Sequence, residues 1–570
     1  MRLRRSDAIA GGLLALAACL VFWNAGHYYL WGDEAGTGWH AKAILRTGLP
    51  YGFDGRNLFE FRNGYFLNTR LLNVVSPWLQ YYVAAASIGL FGAGSLGARA
   101  LFIVLGLVGM GVHYLFVRRW FESPRLAVLN LALMATSATV LLYTRQCRYY
   151  SLLLLLVPTL AYLYARFRGR WWELLLACLV IQLLLLSNHL VGVAAVGAMS
   201  LTFFLLDDRW RALKFWVVPT LVALAVTGAF FFVLRRHGAP EYPNLFKNLE
   251  PAKFARIAWL FLKDYNQTQL LPVGMFAVWL VQWLWAWTKV SGRWPARLRG
   301  EFMVALFVAL FTLIVSVLSP QSSTMRHSDL RYAVGLFPFL LLIQAFAVDR
   351  LLTRRWWLGG GLLVVAVLTN WLTFTPGRAY LWEYVKENAR PFDNSVKVAA
   401  RFLDGRAQQD DVVLVTPNDM LASLEYHLGD KLLFCNVIGE DNRNLLAAGV
   451  KLPRYTYAAD TVPDWIVRFG STIELGHVQK HLAALDLRDY ETHVLPIFGP
   501  DRSRPEIFWH SFTPVRDYET HVLPISGPDM SRPEIFRRSL KPVRGFDQRW
   551  ALQILQRRGR TTKKYGNYGN

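Results

Sequence analysis

Eleven apolar runs, each close to the length at which a helix crosses a bilayer, limit this chain more than any other feature. They fall near residues 8–30, 96–117, 124–142, 149–166, 172–189, 190–206, 215–234, 270–289, 301–318, 333–352 and 357–374. A helix needs about 20 apolar residues to span roughly 30 Å of hydrocarbon. Only helices and closed barrels satisfy their backbone groups there. The pattern predicts a polytopic α-helical membrane protein with about 11 transmembrane helices. A hydrophobic content of 54% and 22 Trp in 570 residues agree.

The net charge of +23 would suit a nucleic-acid partner, but no zinc spacing or aromatic-basic module accompanies it. The basic residues instead cluster at every second boundary between runs: Arg2/Arg4/Arg5, Arg118/Arg119/Arg125, Arg166/Arg168/Arg170, Arg209/Arg211/Lys214, Arg293/Arg297/Arg299 and Arg350/Arg354/Arg355. Such clusters fix orientation and meet anionic lipid. They predict a cytoplasmic N-terminus and an outer location for the chain after residue 375. Counting 76–92 as a further span would invert this parity, so it reads as an interfacial helix with Trp78, Tyr81 and Tyr82 at headgroup level. Residues 31–95 then form one long outer loop. The N-terminus resembles a secretory signal with a lipoprotein-like Leu16-Ala17-Ala18-Cys19, but its apolar run continues through Trp23 and predicts an uncleaved helix. Four cysteines imply no disulfide framework, although a Cys147–Cys435 bridge stays open.

After residue 376 the composition changes. DDVVLVTP, KLLFCNVI and DWIVRF read as short buried strands, with LASLEYHLG and HVQKHLAAL as amphipathic helices. They predict a soluble α/β domain over 376–515 without a glycine-rich phosphate loop. The 28-residue stretch from Arg488 recurs almost unchanged from Arg516. Two copies are too few for a solenoid, so 516–544 reads as a dispensable duplicate. The basic stretch 545–570 is expected to be disordered.

Chemistry is concentrated in the outer loops. Asp33 and Glu34 follow the first span at a depth where partial desolvation would raise a carboxyl pKa and make a base; a solvated loop start is the bland alternative. Arg145 and Arg148, with Tyr149, sit in the turn YTRQCRYY on the side where topology disfavours arginine. Guanidinium groups there suit phosphate, or they snorkel to lipid headgroups. Arg326, His327 and Arg331 form a second cluster, and Arg62 and Lys247 are weaker candidates. His40 with Glu34 would supply only two metal ligands, short of a site. The Asn266-Gln267-Thr268 triplet fits a glycosylation acceptor, a pattern frequent by chance.

GDEAGTGWHAKAILRTGLPYG, SPWLQYYVAAASIGLFGAGSLGARALF, TRQCRYYSLLLLLVP and RYAVGLFPFLLL together resemble the GT-C type glycosyltransferases that use polyprenyl-phosphate sugars. The similar branch contains the protein O-mannosyltransferases and lipid A aminoarabinose transferases. The resemblance covers roughly residues 8–375. It implies transfer of a hexosyl or pentosyl group from an undecaprenyl-type donor to an envelope lipid, glycan or protein, at the outer face of a bacterial inner membrane. It implies Asp33 as base, Glu34 as an acceptor- or metal-positioning partner, Arg145 and Arg148 as phosphate binders, and Arg331 at the lipid-phosphate end. Whether a divalent metal takes part is left open. The chain departs from the aminoarabinose branch at Gly36, where that branch carries arginine, and at Val75–Trp78, where it carries a charged pair; Arg62 or Arg70 would have to replace that contact. The rival readings are a polymerase or ligase using a diphosphate-linked donor, a transporter or lipid flippase, and a non-catalytic scaffold. Coupled transporters need ionisable groups at mid-membrane, and this chain places its charges at the rims.

Overall fold

Every expected span coincides with a helix in the computed structural model, which describes residues 5–59, 66–235, 249–290, 294–321, 325, 327–369, 371–373, 380–391, 393–416, 420–436, 449–456, 461–469, 489–495 and 552–557. The first helix, α1 (Arg5–Phe22), leads through a short turn into α2 (Gly32–Thr47). The expected interfacial helix is α3 (Leu79–Phe91), packed between α2 and α4 (Ser95–Trp120). The third run bends by 70° into α5 (Pro124–Thr136) and α6 (Ala138–Thr144). At the bend, Ser137 caps α6 by accepting from the Val140 N–H. Then come α7 (Tyr150–Arg166), α8 (Trp171–Ser187), α9 (His189–Leu206), α10 (Arg209–Arg235), α11 (Pro251–Gln267), α12 (Val273–Trp287), α13 (Ala296–Leu318), α14 (Phe337–Arg354) and α15 (Trp356–Leu368).

Among the described residues, six helices are long and apolar enough to cross a membrane, or seven if α5 and α6 count as one broken span. Helices α7, α8, α12 and α15 have 17, 17, 15 and 13 residues. They fall short of about 20, so the helices establish fewer crossings than the eleven expected. Helices α4 and α7 approach closely: a Cβ on Gly109 would lie 2.5 Å from the Leu154 carbonyl oxygen, so only glycine lets these backbones meet. Helix α14 is buried almost throughout and contacts α5, α12, α13 and α15.

At the end of the bundle opposite α2, the arginines read as orientation marks have a second role. Arg125 and Arg297 both reach the buried Asp349 at 2.5 Å, and Arg350 reaches the buried Glu301 at 2.5 Å. Helices α5, α13 and α14 are tied together by these pairs.

The three expected strands form as β1 (Val412–Thr416), β2 (Leu433–Cys435) and β3 (Trp465–Arg468), and LASLEYHLG forms α18 (Leu421–Leu428) after α16 (Tyr380–Ala389) and α17 (Ser395–Arg406). Two further strands, β4 (Tyr490–Leu495) and β5 (Leu552–Arg557), complete a sheet of order β2-β1-β3-β5-β4. Strands β1, β2 and β3 run parallel, while β5 pairs antiparallel with β3 and β4. Val396, Leu403, Leu424, Trp465 and Ile554 form the core between the sheet and its helices.

Within 545–570 this corrects the expectation of disorder for Leu552–Arg557, and the remainder of that stretch lies outside the described residues. Leu552, Ile554 and Leu555 are buried within the sheet, and a short apolar run in basic surroundings escaped a reading by composition. Strand β4 is the start of the first repeat copy. The rest of that copy, all of 516–544 and HVQKHLAAL lie outside the described residues. Cys147 and Cys435 are buried free thiols, which closes the question of a bridge. Asn266 is also buried and its Oδ1 accepts from the Val273 N–H at 2.9 Å, so the glycosylation triplet is inaccessible.

Candidate functional site

Helix α2 carries both candidate acids in its first turn, where the unpaired N–H groups favour negative charge. It stops at Gly48, whose φ of 82° permits the left-handed cap. Along its length the helix lies against α3 and α18. A Cβ on Gly38 would stand 2.6 Å from the Tyr426 ring, so glycine is what allows α18 to dock. Lys42 Nζ then donates to the Tyr426 carbonyl oxygen at 2.8 Å, and the Tyr426 hydroxyl donates to Ala93 O at 2.7 Å.

Successive helical residues are about 100° apart, so Asp33 and Glu34 face different surroundings. Glu34 is fully buried. Arg99 Nε donates to its Oε1 at 2.9 Å and Arg99 Nη2 to its Oε2 at 2.5 Å, a paired fork, while the Cys147 N–H donates to Oε1 at 2.7 Å. Arg99 also donates to the carbonyl oxygens of Ala25 and Tyr28. With its carboxylate oxygens engaged by protein donors, Glu34 ties α2 to α4 and to the turn between α6 and α7. Arg99 was missed in sequence; the available signal was a lone arginine inside an apolar run.

That turn aims Arg148 at the other acid. Arg331 Nη1 donates to Asp33 Oδ2 at 2.5 Å, and Arg148 Nη2 lies 3.4 Å from the same oxygen. Arg148 Nη1 also donates to Thr37 Oγ1 at 3.1 Å, one turn along α2. Arg331 is held by Asp329, to which Nε donates at 2.7 Å and Nη2 at 2.5 Å. The Asp33 side chain is 6% exposed and Asp329 17%, against 18% for Arg148 and 32% for Arg331, so the Arg331 guanidinium is the most solvent-reaching group of the cluster. Burial by itself would raise the Asp33 pKa, but the Arg148 and Arg331 charges and the Arg331 hydrogen bond outweigh it and hold the carboxyl below its ordinary 3.8. The expected raised pKa is therefore corrected: Asp33 is an ionised carboxylate shared by two cations.

The other candidates divide. Tyr149 is buried beside this cluster, with the Arg148 guanidinium 5.6 Å from its ring centre. Arg145 turns elsewhere, donating to Asn388 Oδ1 at 3.0 Å and to Asn24 O at 3.2 Å. Arg62, Arg326 and Lys247 lie outside the described residues, and Arg70 is exposed. Gly36 stands where the resembling branch carries arginine, and a Cβ there would meet the Phe59 ring at 3.1 Å, so the space is already filled.

His40 does not fit a metal site with Glu34. Its Nδ1 faces the Tyr51 carbonyl oxygen at 3.2 Å, and its Nε2 faces the Asn73 amide nitrogen at 3.0 Å, an arrangement that fits Nδ1–H donating and Nε2 accepting. Burial, with a smaller push from Arg148, takes its pKa down to about 3 and keeps it neutral. Among the described residues no group of three or more His, Cys, Asp or Glu is arranged to hold a metal ion.

No family model and no curated protein sequence matches the chain. Solved structures do match. The crystal structure of ArnT from Cupriavidus metallidurans bound to undecaprenyl phosphate superposes with a TM-score of 0.53 at 16% identity, over 85% of this chain and 96% of that one. The same ArnT in the apo state gives 0.50 at 17% identity over the same shares. The oligosaccharyltransferase of Archaeoglobus fulgidus in its apo form gives 0.48 at 12% identity, over 81% of this chain and 69% of that one. Over most of its length the chain has the fold of a GT-C glycosyltransferase.

Proposed function

We propose that the chain is a glycosyltransferase that moves a hexosyl or pentosyl group from a polyprenyl phosphate to an envelope lipid, glycan or protein. The observation that carries this reading is the Asp33 carboxylate held by Arg148 and Arg331. The similarity to an ArnT bound to undecaprenyl phosphate supports the donor class. A phosphate arriving at the cluster competes with Asp33 for both guanidiniums, which bind phosphate in the same forked manner. Once freed of them, Asp33 becomes a stronger base.

The acceptor oxygen then attacks the anomeric carbon, Asp33 takes the hydroxyl proton, and the bond from that carbon to the phosphate oxygen breaks. The polyprenyl phosphate leaves with one more negative charge than it had in the diester, and Arg148 and Arg331 stabilise that charge where little water screens it. The nitrogens of His40 and the oxygens of Glu34 are engaged within the protein, so this pair is not available to a metal.

On this reading the membrane part extends to residue 375 with Asp33 at the outer rim of a bacterial inner membrane. The α/β part, 376–515, lies on the same side and is completed by Leu552–Arg557. The test is sugar transfer by the full chain in proteoliposomes supplied with undecaprenyl phosphates bearing hexoses or aminopentoses. Asp33→Asn lowers turnover by about 10²-fold or more in a protein that still folds, with a melting temperature lowered by the loss of the carboxylate's ion pairs. Unchanged turnover removes Asp33 as the base, and a wild-type protein that transfers from none of these donors refutes the assignment.

A further inference from the structure

Helix α11 carries Ile257, Leu260, Phe261 and Tyr265 on one buried face, at the spacing of an apolar helical stripe. Asp264 stands in the same stripe, and its side chain is 5% exposed. A carboxylate in such a place costs stability unless hydrogen bonds replace its water. Here they come from the chain ahead of α14. Ser328 donates twice to Asp264 Oδ2, from its N–H at 2.5 Å and from its hydroxyl at 2.7 Å, and His327 Nδ1 lies 3.4 Å from Oδ1. The helix is itself fixed on α13, where the Tyr265 hydroxyl meets Thr312 Oγ1 at 3.2 Å.

The residue after Ser328 is Asp329, which governs Arg331. Its N–H donates to Gln321 Oε1 at 2.8 Å. Its Oδ1 accepts from the Arg331 N–H at 3.3 Å and so caps the short 3₁₀ helix Leu330–Leu336. Its two oxygens also take Arg331 Nε and Nη2. One edge of the guanidinium is thereby occupied, and Nη1 is turned to Asp33. Asp329 and Arg331 are two residues apart and move as a unit, so their mutual bonds alone cannot fix where Nη1 points. The bonds from Gln321 and Asp264 tie that unit to the helix bundle. Among the described residues no hydrogen bond or ion pair links Asp264 to Arg331 or to Asp33, so any influence it has on them passes through Ser328 and Asp329.

We propose that Asp264 is a positioning residue for Arg331: through Ser328 and Asp329 it holds the guanidinium on Asp33, where a donor phosphate would meet it. The phosphate part rests on the transferase reading; the positioning does not.

Two double-variant cycles on the full chain in lipid nanodiscs test this. In the first, the fall in Tm caused by Asp33→Asn is compared in the wild type and in Asp264→Ala. The fall is smaller in Asp264→Ala, because Arg331 no longer rests on Asp33; equal falls mean two independent structural contacts. In the second, undecaprenyl phosphate binding weakens about tenfold in Asp264→Ala, the scale of a lost hydrogen bond to a charged group. Adding Asp264→Ala to Arg331→Ala brings no further loss, whereas losses that add overturn the proposal. Asp264→Asn keeps an acceptor for the Ser328 N–H and recovers part of the binding, and Ser328→Ala gives a smaller loss of the same kind. Should Asp264→Ala fail to fold, Ser328→Ala runs through both cycles with the same outcomes deciding. A wild-type protein that binds no undecaprenyl phosphate faults the donor reading and leaves the first cycle to decide the positioning. Binding indifferent to Asp264→Ala, or a first cycle without coupling, overturns the positioning and leaves the donor reading.

Discussion

Asp33 and Glu34 are neighbours in sequence and both lie within the protein, yet their surroundings differ. Glu34 faces Arg99, and that pair is 1% and 4% exposed. Asp33 faces Arg148 and Arg331, whose side chains remain 18% and 32% exposed. The first pair is closed on itself and adds the Cys147 N–H. The second is less closed: Arg331 is shared between Asp33 and Asp329, and the two guanidiniums are its most solvent-reaching groups. Burial alone therefore does not mark an acid as reactive; what decides is whether its partners can be taken over by a ligand.

The largest effects belong to the closed pair. Arg99→Ala leaves Glu34 buried without its counter-charge, a change that costs about 3–5 kcal/mol, measured as a lowered unfolding temperature and reduced yield from membranes. Combining Arg99→Met with Glu34→Gln removes both charges and recovers a large part of the loss. If the double variant is no more stable than Arg99→Ala, the pair is not the sealed structural contact described above.

The open cluster responds in function before stability. Arg148→Ala weakens donor binding by about 10- to 100-fold, the scale of a lost hydrogen bond to a charged group, with a smaller change for the acceptor. Equal losses for donor and acceptor would remove the phosphate role.

A smaller and more diagnostic effect appears in pH. Burial pushes Asp33 up and the arginines pull it down, so Arg148→Ala moves the acid limb of the rate profile to higher pH. In the intact protein the carboxylate's contribution to stability is fully present above its unfolded value of about 3.8 and is lost as pH falls through the lower folded value. Asp33→Asn removes that dependence, which acid unfolding monitored by circular dichroism detects. An acid limb that stays in place in Arg148→Ala would mean that Arg148 does not set the Asp33 charge.

Much of this was legible in the sequence, for identifiable reasons. Apolar runs of bilayer length force helices, and short β-branched runs after residue 376 force strands, so both parts could be read. Arg148 and Arg331 were visible because arginine at that rim runs against the orientation bias. The different fates of Asp33 and Glu34 were not visible, since they depend on a 100° turn of α2 and on Arg99, 65 residues away. Strand β5 was missed because its partners come from distant parts of the chain: Ile466 lies opposite Leu555, and Leu495 opposite Leu552.

That last pairing supplies the prediction with the smallest expected effect, a control remote from both faces of α2. Strands β4 and β5 are antiparallel, and their facing ends are Leu495 and Leu552, with 552 − 495 − 1 = 56 residues between them. Such ends need only about 2–5 residues to join. Deleting 517–544 removes 28 residues and leaves 28, more than such a join needs. Transfer activity and melting temperature are therefore expected to stay within error of the wild type. Truncation at residue 545 is also a change at the far end of the chain, but it removes β5 from between β3 and β4 and opens the sheet on which α18 rests. Since α18 packs against α2, that loss reaches Asp33 and Glu34 together. A harmless truncation, or a harmful internal deletion, would mean that the stability of α2 does not depend on this sheet in the way its packing implies.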